Sequence, residues 1–190
     1  MGRKIHIDAV RAFARETPVF RSRDVGVVVG RQGYADLLLH NMANRGEIHR
    51  LMRGWYSSHD DPVLSVFCFK PAYLGLQEAL SMRNLWEQET NVVVLTPAKV
   101  REGLRSVAGS NVVVRRLPVH HFFGYDFIPY GEWRVPVSDP EKTLIDLVSL
   151  GEVAHPDILS ELLGAVDVKK LQGYLAAYPR RTRDLVMELL

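Results

Sequence analysis

The feature that most limits how this chain can fold is a helical pattern that ends at a glycine and is followed directly by a hairpin pattern. Apolar side chains recur at helical spacing over residues 34–45: Ala35, Leu38, Leu39 and Met42. Gly46 then supplies a C-terminal stop. Residues 47–52 alternate, Arg53-Gly54 favours a tight turn, and residues 55–57 predict a returning strand. We therefore expect a helix followed by a β-hairpin.

Two further helical segments precede this pattern. Residues 4–16 place their apolar side chains on one helix face, and Thr17-Pro18 ends that helix. Residues 21–28 favour a short helix capped by Ser22, with a strand over residues 25–30 as the alternative. Three helices followed by a hairpin predict a winged helix-turn-helix. Asp60-Asp61-Pro62 is polar and breaks helices, so the first domain is expected to span residues 1–62.

The remaining residues, 63–190, predict an α+β domain with a mixed sheet and terminal helices. Apolar runs indicate strands over residues 63–69, 91–96 and 111–117. Residues 120–137 are rich in aromatic side chains and broken by glycine and proline, which predicts two or three further strands. Helical spacing predicts helices over residues 72–85, 97–109, 158–166, 171–178 and 185–190. A capping box, Ser138 with Glu141 three residues later, begins another helix.

Charge is distributed unevenly along the chain. The 190 residues carry a net charge of only +2, yet the first 58 hold ten basic and five acidic residues, a balance of +5. The remaining residues, with 14 basic and 17 acidic side chains, carry −3. A basic module on a slightly acidic remainder is typical of a nucleic-acid-binding domain joined to a partner or sensor domain.

The hydropathy pattern and the cysteine content indicate the cellular compartment of the protein. No run of residues approaches the length of about 20 apolar residues needed to cross a bilayer. The first residues lack the apolar core of a secretory signal. We therefore expect a cytoplasmic protein with no membrane partner. The single cysteine, Cys68, excludes an intramolecular disulfide.

Polar and basic side chains surround the outward side of the third helix and continue onto the hairpin. Arg, Asn and Gln can contact guanine or adenine edges, an exposed Leu37 can touch a thymine methyl, and hairpin arginines suit phosphates or the minor groove. The double-stranded DNA contacts are therefore predicted at Arg31, Gln32, Tyr34, Leu37, His40, Asn41, Asn44, Arg45, Arg50 and Arg53.

Catalytic, cofactor and metal motifs are not predicted. His120 and His121 are adjacent on an expected strand and would point to opposite faces, which prevents them from chelating one ion. No phosphate-binding loop or dinucleotide fingerprint is present. Three alternatives stay open: a ligand-sensing transcription factor with a pocket lined by the aromatics of residues 122–133, a nuclease that uses Asp126 and Glu132, and a module that binds protein.

Several segments together resemble one family. Residues 38–56, with Leu-Leu-x-x-Met-x-x-Arg-Gly-Glu-Ile-x-Arg-Leu and Arg-Gly-Trp-Tyr, resemble the winged-helix head of AbiEi antitoxins from type IV toxin-antitoxin systems. Residues 73–80, 92–96 and 135–146, the last reading Val-Pro-Val-Ser-Asp-Pro-Glu-Lys-Thr-Leu-Ile-Asp, are similar to the body of that family. The likeness covers roughly residues 17–150 and is carried by the order and spacing of the motifs.

This resemblance implies a function. A member of that family would repress its own operon and would counteract a cognate AbiEii nucleotidyltransferase toxin through its C-terminal region. Carried over by position, its DNA contacts would lie on the third helix and the wing, around Arg45, Arg50 and Arg53.

Overall fold

The computed structural model describes residues 2–86, 91–152 and 156–190. It is a mixed α+β structure that divides into two compact units. The first unit comprises Met1–Cys68 and Arg105–Val112, and the second comprises Phe69–Leu104 and Val113–Leu190. This division does not follow the single boundary expected after Pro62, because residues 63–68 and 105–112 also group with the first unit.

Three helices and three short strands form the main part of the first unit. The helices are α1 (Gly2–Glu16), α2 (Ser22–Val29) and α3 (Gln32–Asn44), and the strands are β1 (Phe20–Arg21), β2 (His49–Met52) and β3 (Trp55–Ser57). The strands pair antiparallel in the order β1-β3-β2. The predicted third helix and hairpin are confirmed, whereas the contribution of β1 to the sheet was not foreseen.

The core of the first unit explains why these segments are helical. Val10 and Ala14 of α1, Val25 of α2, and Leu39 and Met42 of α3 are all buried. Each apolar stripe recurs every three or four residues, so each helix buries one face and leaves the other in water. Full burial of a side chain such as Leu39 contributes about 1.5–3 kcal/mol to stability.

Helix α2 decides between the helix and the strand predicted for this segment, and its N-cap differs from the predicted one. Residues 22–29 are helical, so the strand alternative over residues 25–30 is wrong. Ser22 does not cap this helix either. The backbone N–H of Arg21 instead donates to Asp24 Oδ2 at 2.7 Å, and the helix ends at Gly30 with φ of 71°.

The other described residues include a six-stranded sheet and five α-helices. The strands are β4 (Tyr73–Leu74), β5 (Val92–Thr96), β6 (Gly103–Val107), β7 (Ser110–Arg116), β8 (Tyr125–Tyr130) and β9 (Trp133–Ser138), in the order β6-β7-β5-β4-β9-β8. The sheet is mixed, because β4 is antiparallel to β5 and parallel to β9. The helices are α4 (Leu76–Met82), α5 (Pro140–Leu150), α6 (Pro156–Gly164), α7 (Val168–Leu175) and α8 (Arg180–Met187).

Helix α5 is the centre of the second unit. Leu144, Ile145 and Leu147 are buried, and helices α4, α6, α7 and α8 all pack against α5. The predicted mixed sheet and terminal helices are confirmed, although the three terminal helices begin two to five residues earlier than predicted.

Two segments differ from the predicted secondary structure. Residues 63–69 form a 3₁₀ helix, Pro62–Phe69, instead of a strand; a short apolar run buried on all sides has no periodicity that separates the two. Residues 97–109 are not helical and contain β6. Their apolar residues Val100, Leu104 and Val107 mimic helical spacing, yet Leu104 is exposed while Val107 is buried.

Two further differences concern residues that belong to strands of the sheet. The helix predicted over residues 72–85 begins only at Leu76, because Tyr73 and Leu74 pair with β5 and Leu74 also pairs with β9. Ser138 does not cap α5, since it is the last residue of β9. Asp139 is the cap, and its Oδ1 accepts the backbone N–H of Lys142 at 2.8 Å.

Within the described part of the chain, no helix has the length and apolar character required to span a membrane.

Candidate nucleic-acid interface

The side of α3 that faces α2 is occupied by hydrogen bonds within the protein. Gln32 Nε2 donates to Ser22 Oγ at 2.8 Å and to Asp36 Oδ1 at 3.2 Å, and Ser22 also donates to Asp36. A Cβ at Gly26 would lie 2.3 Å from Gln32 Oε1, so only glycine leaves room for this amide on α2. The amide of Gln32 therefore joins α2 to α3.

The opposite side of α3 borders α1. Tyr34, Asn41 and Arg45 line a groove of about 340 Å³ together with Ile7 of α1 and Leu37. The guanidinium of Arg45 is also 3.8 Å from the carboxylate of Glu47. These side chains lie at the edge of α3, with Tyr34 half-buried against the core.

A third face of α3 lies opposite the buried side of the helix. It carries Leu37, His40 and Asn44, which are exposed; Leu37 retains 50% of its accessible surface. A helix advances by about 100° per residue, which sets these three residues opposite the buried Ala35 and Met42. Asn44 Nδ2 lies 3.0 Å from His40 Nε2. When the amide donates to that nitrogen, His40 Nδ1 carries a proton and Asn44 Oδ1 remains an acceptor.

Three of the predicted contact residues are exposed arginines that lie outside α3. Arg31 is the N-cap residue of α3, Arg50 lies on β2, and Arg53 lies in the turn to β3 beside Gly54, whose φ is 78°. Among residues 2–86, 91–152 and 156–190, none of the three forms an ion pair. Their charge is available to an external anion.

Other basic residues of the first unit are used internally. Arg11 donates to Glu47 Oε2 at 2.9 Å, and this hydrogen bond lowers the pKa of Glu47 below its usual range. The guanidinium of Arg21 lies over the ring of Trp55, 3.9 Å from its centroid. The roles of Arg11 and Arg21 were not foreseen, because their partners are distant in sequence.

The residues considered for catalysis are dispersed. Asp126 forms an ion pair with Arg83 at 3.2 Å, and Glu132 is exposed in the turn after β8. His120 and His121 lie on a 3₁₀ helix, Val119–His121, instead of a strand, with their ring centroids 4.2 Å apart. Within the described ranges, no three His, Cys, Asp or Glu side chains are placed to hold a metal ion.

The aromatic residues after His121 pack against the core. The rings of Phe122 and Tyr125 stack on the buried Tyr73, with centroids 5.6 and 5.4 Å apart. Phe123 meets Tyr174 edge-to-face at 5.0 Å. These contacts stabilise the second unit.

Helix α5 carries a buried ion pair. Lys142 Nζ donates to Asp146 Oδ1, and Tyr73 OH donates to Asp146 Oδ2 at 2.7 Å. Both members of the pair are almost completely buried. Burial lowers the pKa of Lys142 and raises the pKa of Asp146, because it penalises the charged form of each.

A second polar cluster joins α5 to α7. Lys170 Nζ lies 3.0 Å from Asp139 Oδ2 and 2.9 Å from Glu141 Oε2. Tyr174 OH donates to Asp139 at 2.8 Å; burial and this hydrogen bond raise the pKa of Tyr174 to about 12. Three ionisable residues of one short motif, Asp139, Glu141 and Lys142, are therefore buried and paired.

The comparisons with known proteins address the fold. No family model matches the chain, and no curated protein matches it significantly. The crystal structure of RV2827C protein from Mycobacterium tuberculosis is similar, with a TM-score of 0.62 and 16% sequence identity. The alignment covers 98% of this chain and 76% of that one. The two proteins share a fold.

Proposed function

We propose that the first unit is a winged helix that binds double-stranded DNA and that the chain is a transcriptional regulator. The order α1-β1-α2-α3-β2-β3, with an antiparallel sheet, supports this assignment. In a helix-turn-helix, the second helix of the motif lies in the major groove. Here that helix is α3, and the β2–β3 hairpin is the wing.

The observation that carries the proposal is the outward face of α3 together with its unpaired arginines. Leu37, His40 and Asn44 present a methyl-bearing side chain, a donor and an acceptor to base edges. Arg31, Arg50 and Arg53 flank them and supply phosphate or minor-groove contacts. Gln32, whose amide joins α2 to α3, positions the helix in this scheme.

Two variants separate positioning from sequence recognition. Arg53→Ala removes a phosphate contact and weakens binding to operator and random duplexes alike. Asn44→Ala removes a base contact and reduces discrimination between operator and random DNA by roughly 1–3 kcal/mol. The measurement is fluorescence anisotropy with both duplexes. Arg180→Ala, which removes the same charge from α8, is the control and should leave both affinities unchanged.

Salt dependence provides an independent test. With about four to six phosphates neutralised, the logarithm of affinity should fall against the logarithm of salt concentration with a slope of about −4 to −5. Arg53→Ala should reduce the magnitude of this slope by about 1. A flat response between 50 and 200 mM salt would refute the DNA interface.

We further propose that this regulator is an antitoxin of the AbiEi type that represses its own operon and counteracts a nucleotidyltransferase toxin. The support is the resemblance of residues 38–56, 73–80, 92–96 and 135–146 to that family. Co-expression of the full chain with a nucleotidyltransferase encoded beside it should restore growth. Arg53→Ala should retain protection while losing repression, because the protective surface lies outside the wing. Failure of the full chain to protect would leave only the regulator.

A further inference from the structure

The turn between β6 and β7 lies beside the β2–β3 hairpin. Residues Arg105–Val112, called here the β6–β7 turn region, group with the first unit, although the preceding residues belong to the second. The backbone N–H of Ala108 donates to the carbonyl of Leu51 on β2 at 3.0 Å. Strand β2 is an edge strand of its sheet, so the β6–β7 turn region lies along the outer edge of that sheet.

The β6–β7 turn region has a defined conformation. Ala108 and Gly109 connect the two strands, and both have a positive φ, 50° and 75°. Two connecting residues with positive φ are typical of the tight turns that join neighbouring antiparallel strands. Val107 and Val112, on either side of this turn, are fully buried. The turn region is therefore held in place by the first unit.

The contact with Leu51 sets the distance from the turn region to Arg53. Paired residues of neighbouring strands have Cα atoms about 5 Å apart, and a strand advances about 3.3 Å per residue. Arg53 follows Leu51 by two residues, so its Cα lies about 10 Å or less from that of Ala108. This distance is smaller than the width of the major groove of DNA, about 12 Å. A duplex bound at Arg53 is therefore within reach of the turn region.

The exposed side chains of the turn region suit a phosphate backbone. Ser106 and Asn111 alternate with the buried Val107 and Val112, so they lie on the outward face, and Ser110 is exposed beside the turn. Serine and asparagine side chains commonly donate to phosphate oxygens. Residues 103–125 include no aspartate or glutamate, so the turn region has no carboxylate of its own to repel phosphates.

We propose that the β6–β7 turn region is a second contact with the sugar-phosphate backbone of DNA, in which Ser106, Ser110 and Asn111 donate to phosphates next to those bound by the wing. This inference rests on the proposed DNA-binding function and extends its interface to a segment distant in sequence. Phosphate contacts carry no sequence information. The turn region therefore strengthens binding to operator and random DNA alike.

The test uses two variants of the full chain that change the charge of the outward face. Ser106→Lys adds a cation and should make the slope of log affinity against log salt steeper by about 1. At about 0.1 M salt, this change corresponds to roughly 10-fold tighter binding. Asn111→Asp places a carboxylate near the phosphates and should weaken binding roughly 5-fold. Both are measured by fluorescence anisotropy with a random duplex.

Matched controls make the same substitutions in the second unit. Ser160→Lys on α6 and Asn84→Asp after α4 also change exposed side chains and give the same net charges. Both controls should bind the duplex like the wild type. Circular dichroism melts should give the same Tm for all four variants and the wild type, because the replaced side chains are exposed.

The outcomes separate this inference from the proposed function. When the wild type binds with the expected salt slope but Ser106→Lys and Asn111→Asp behave like their controls, the second contact is wrong and the proposed function stands. When the wild type does not bind the duplex, the proposed function is wrong and the second contact fails with it. Opposite changes in affinity for the two variants, with unchanged controls, support the second contact.

Discussion

At the scale of single residues, the buried Lys142–Asp146 pair makes the second unit sensitive to the loss of either partner. Lys142→Met leaves the Asp146 carboxylate buried, with the Tyr73 hydroxyl as its remaining donor among the described residues. We expect the free energy of unfolding to fall by about 3–5 kcal/mol, measured by urea denaturation. The double variant Lys142→Met/Asp146→Asn removes both charges and should lose less than the sum of the single losses. Additive losses would show that the two charges do not stabilise each other.

Glu141 provides a pH-dependent prediction. Burial alone would raise its pKa, but the backbone N–H of Asp167 at 2.7 Å and the Lys170 ammonium outweigh burial and lower it. The folded state therefore binds fewer protons than the unfolded state near the unfolded pKa of about 4.3. The stabilisation is present above that pH and is lost as pH falls through the folded pKa.

The measurement compares wild type with Glu141→Gln in urea denaturation between about pH 7 and about pH 3. The wild type should be the more stable at neutral pH, and the difference should shrink on acidification. Glu132→Gln, which removes the same charge from an exposed turn, is the control. A difference that is constant over this range would exclude a contribution from ionised Glu141.

Side-chain pairing is where prediction from sequence was least informative. The polar face of α3 was identified correctly, since exposure follows from helical periodicity. The hydrogen bond from Gln32 to Ser22 was not predicted, because it depends on how α2 and α3 cross at Gly26. The burial of Asp139 and Lys142 was not predicted from the sequence either, because charged residues are expected to face solvent unless their partners are known.

At the scale of elements, the turn that leads into β8 packs unusually closely on two helices. Gly124 has φ of 69°, and a Cβ there would lie 2.8 Å from Lys142 Cβ on α5 and 2.8 Å from Tyr174 Cε2 on α7. Gly124→Ala combines the left-handed backbone penalty of about 1–2 kcal/mol with overpacking of about 1–3 kcal/mol. We expect a loss of about 2–5 kcal/mol in the free energy of unfolding.

The matched control for this variant is Gly131→Ala. Gly131 also has a positive φ, 54°, but a Cβ there meets nothing within 4 Å. Gly131→Ala should therefore lower the free energy of unfolding only by the backbone penalty of about 1–2 kcal/mol. Equal losses in the two variants, measured by chemical denaturation, would show that packing on α5 and α7 does not restrict Gly124.

Elements with one buried face were predicted better than elements buried on all sides. Helix α3 and the hairpin follow from clear periodicity and a glycine stop. The 3₁₀ helix Pro62–Phe69 was predicted as a strand because its buried apolar run fits either structure. Strand β4 was predicted as part of a helix, because a strand of two residues directly before a helix carries no pattern of its own.

At the scale of the whole molecule, the chain passes between the two units three times, since residues 105–112 return to the first unit. Within that unit, the backbone N–H of Ala108 donates to the carbonyl of Leu51 at 3.0 Å, and Val107 is buried. A fragment of residues 1–62 lacks residues 105–112 and also Val63, Leu64 and Val66, which are buried. The first unit is therefore incomplete in that fragment.

We expect the 1–62 fragment to unfold at lower temperature than the first unit of the full chain. Each missing buried aliphatic side chain removes about 1.5–3 kcal/mol, a large share of the total stability of about 5–15 kcal/mol. Circular dichroism melts of the fragment and the full chain provide the comparison, with residues 1–68 as an intermediate fragment. An equally cooperative melt of 1–62 at the same temperature would show that residues 105–112 are dispensable.

The return of residues 105–112 also bears on how such a gene can change. A compact unit can be exchanged by recombination in one piece only when one uninterrupted stretch of the gene encodes it. Here a crossover after codon 62 would transfer the first unit without residues 63–68 and 105–112. Those residues would stay behind in the other gene without the rest of their unit. The two halves of this protein are consequently expected to be inherited together and to diversify by substitution instead of by shuffling.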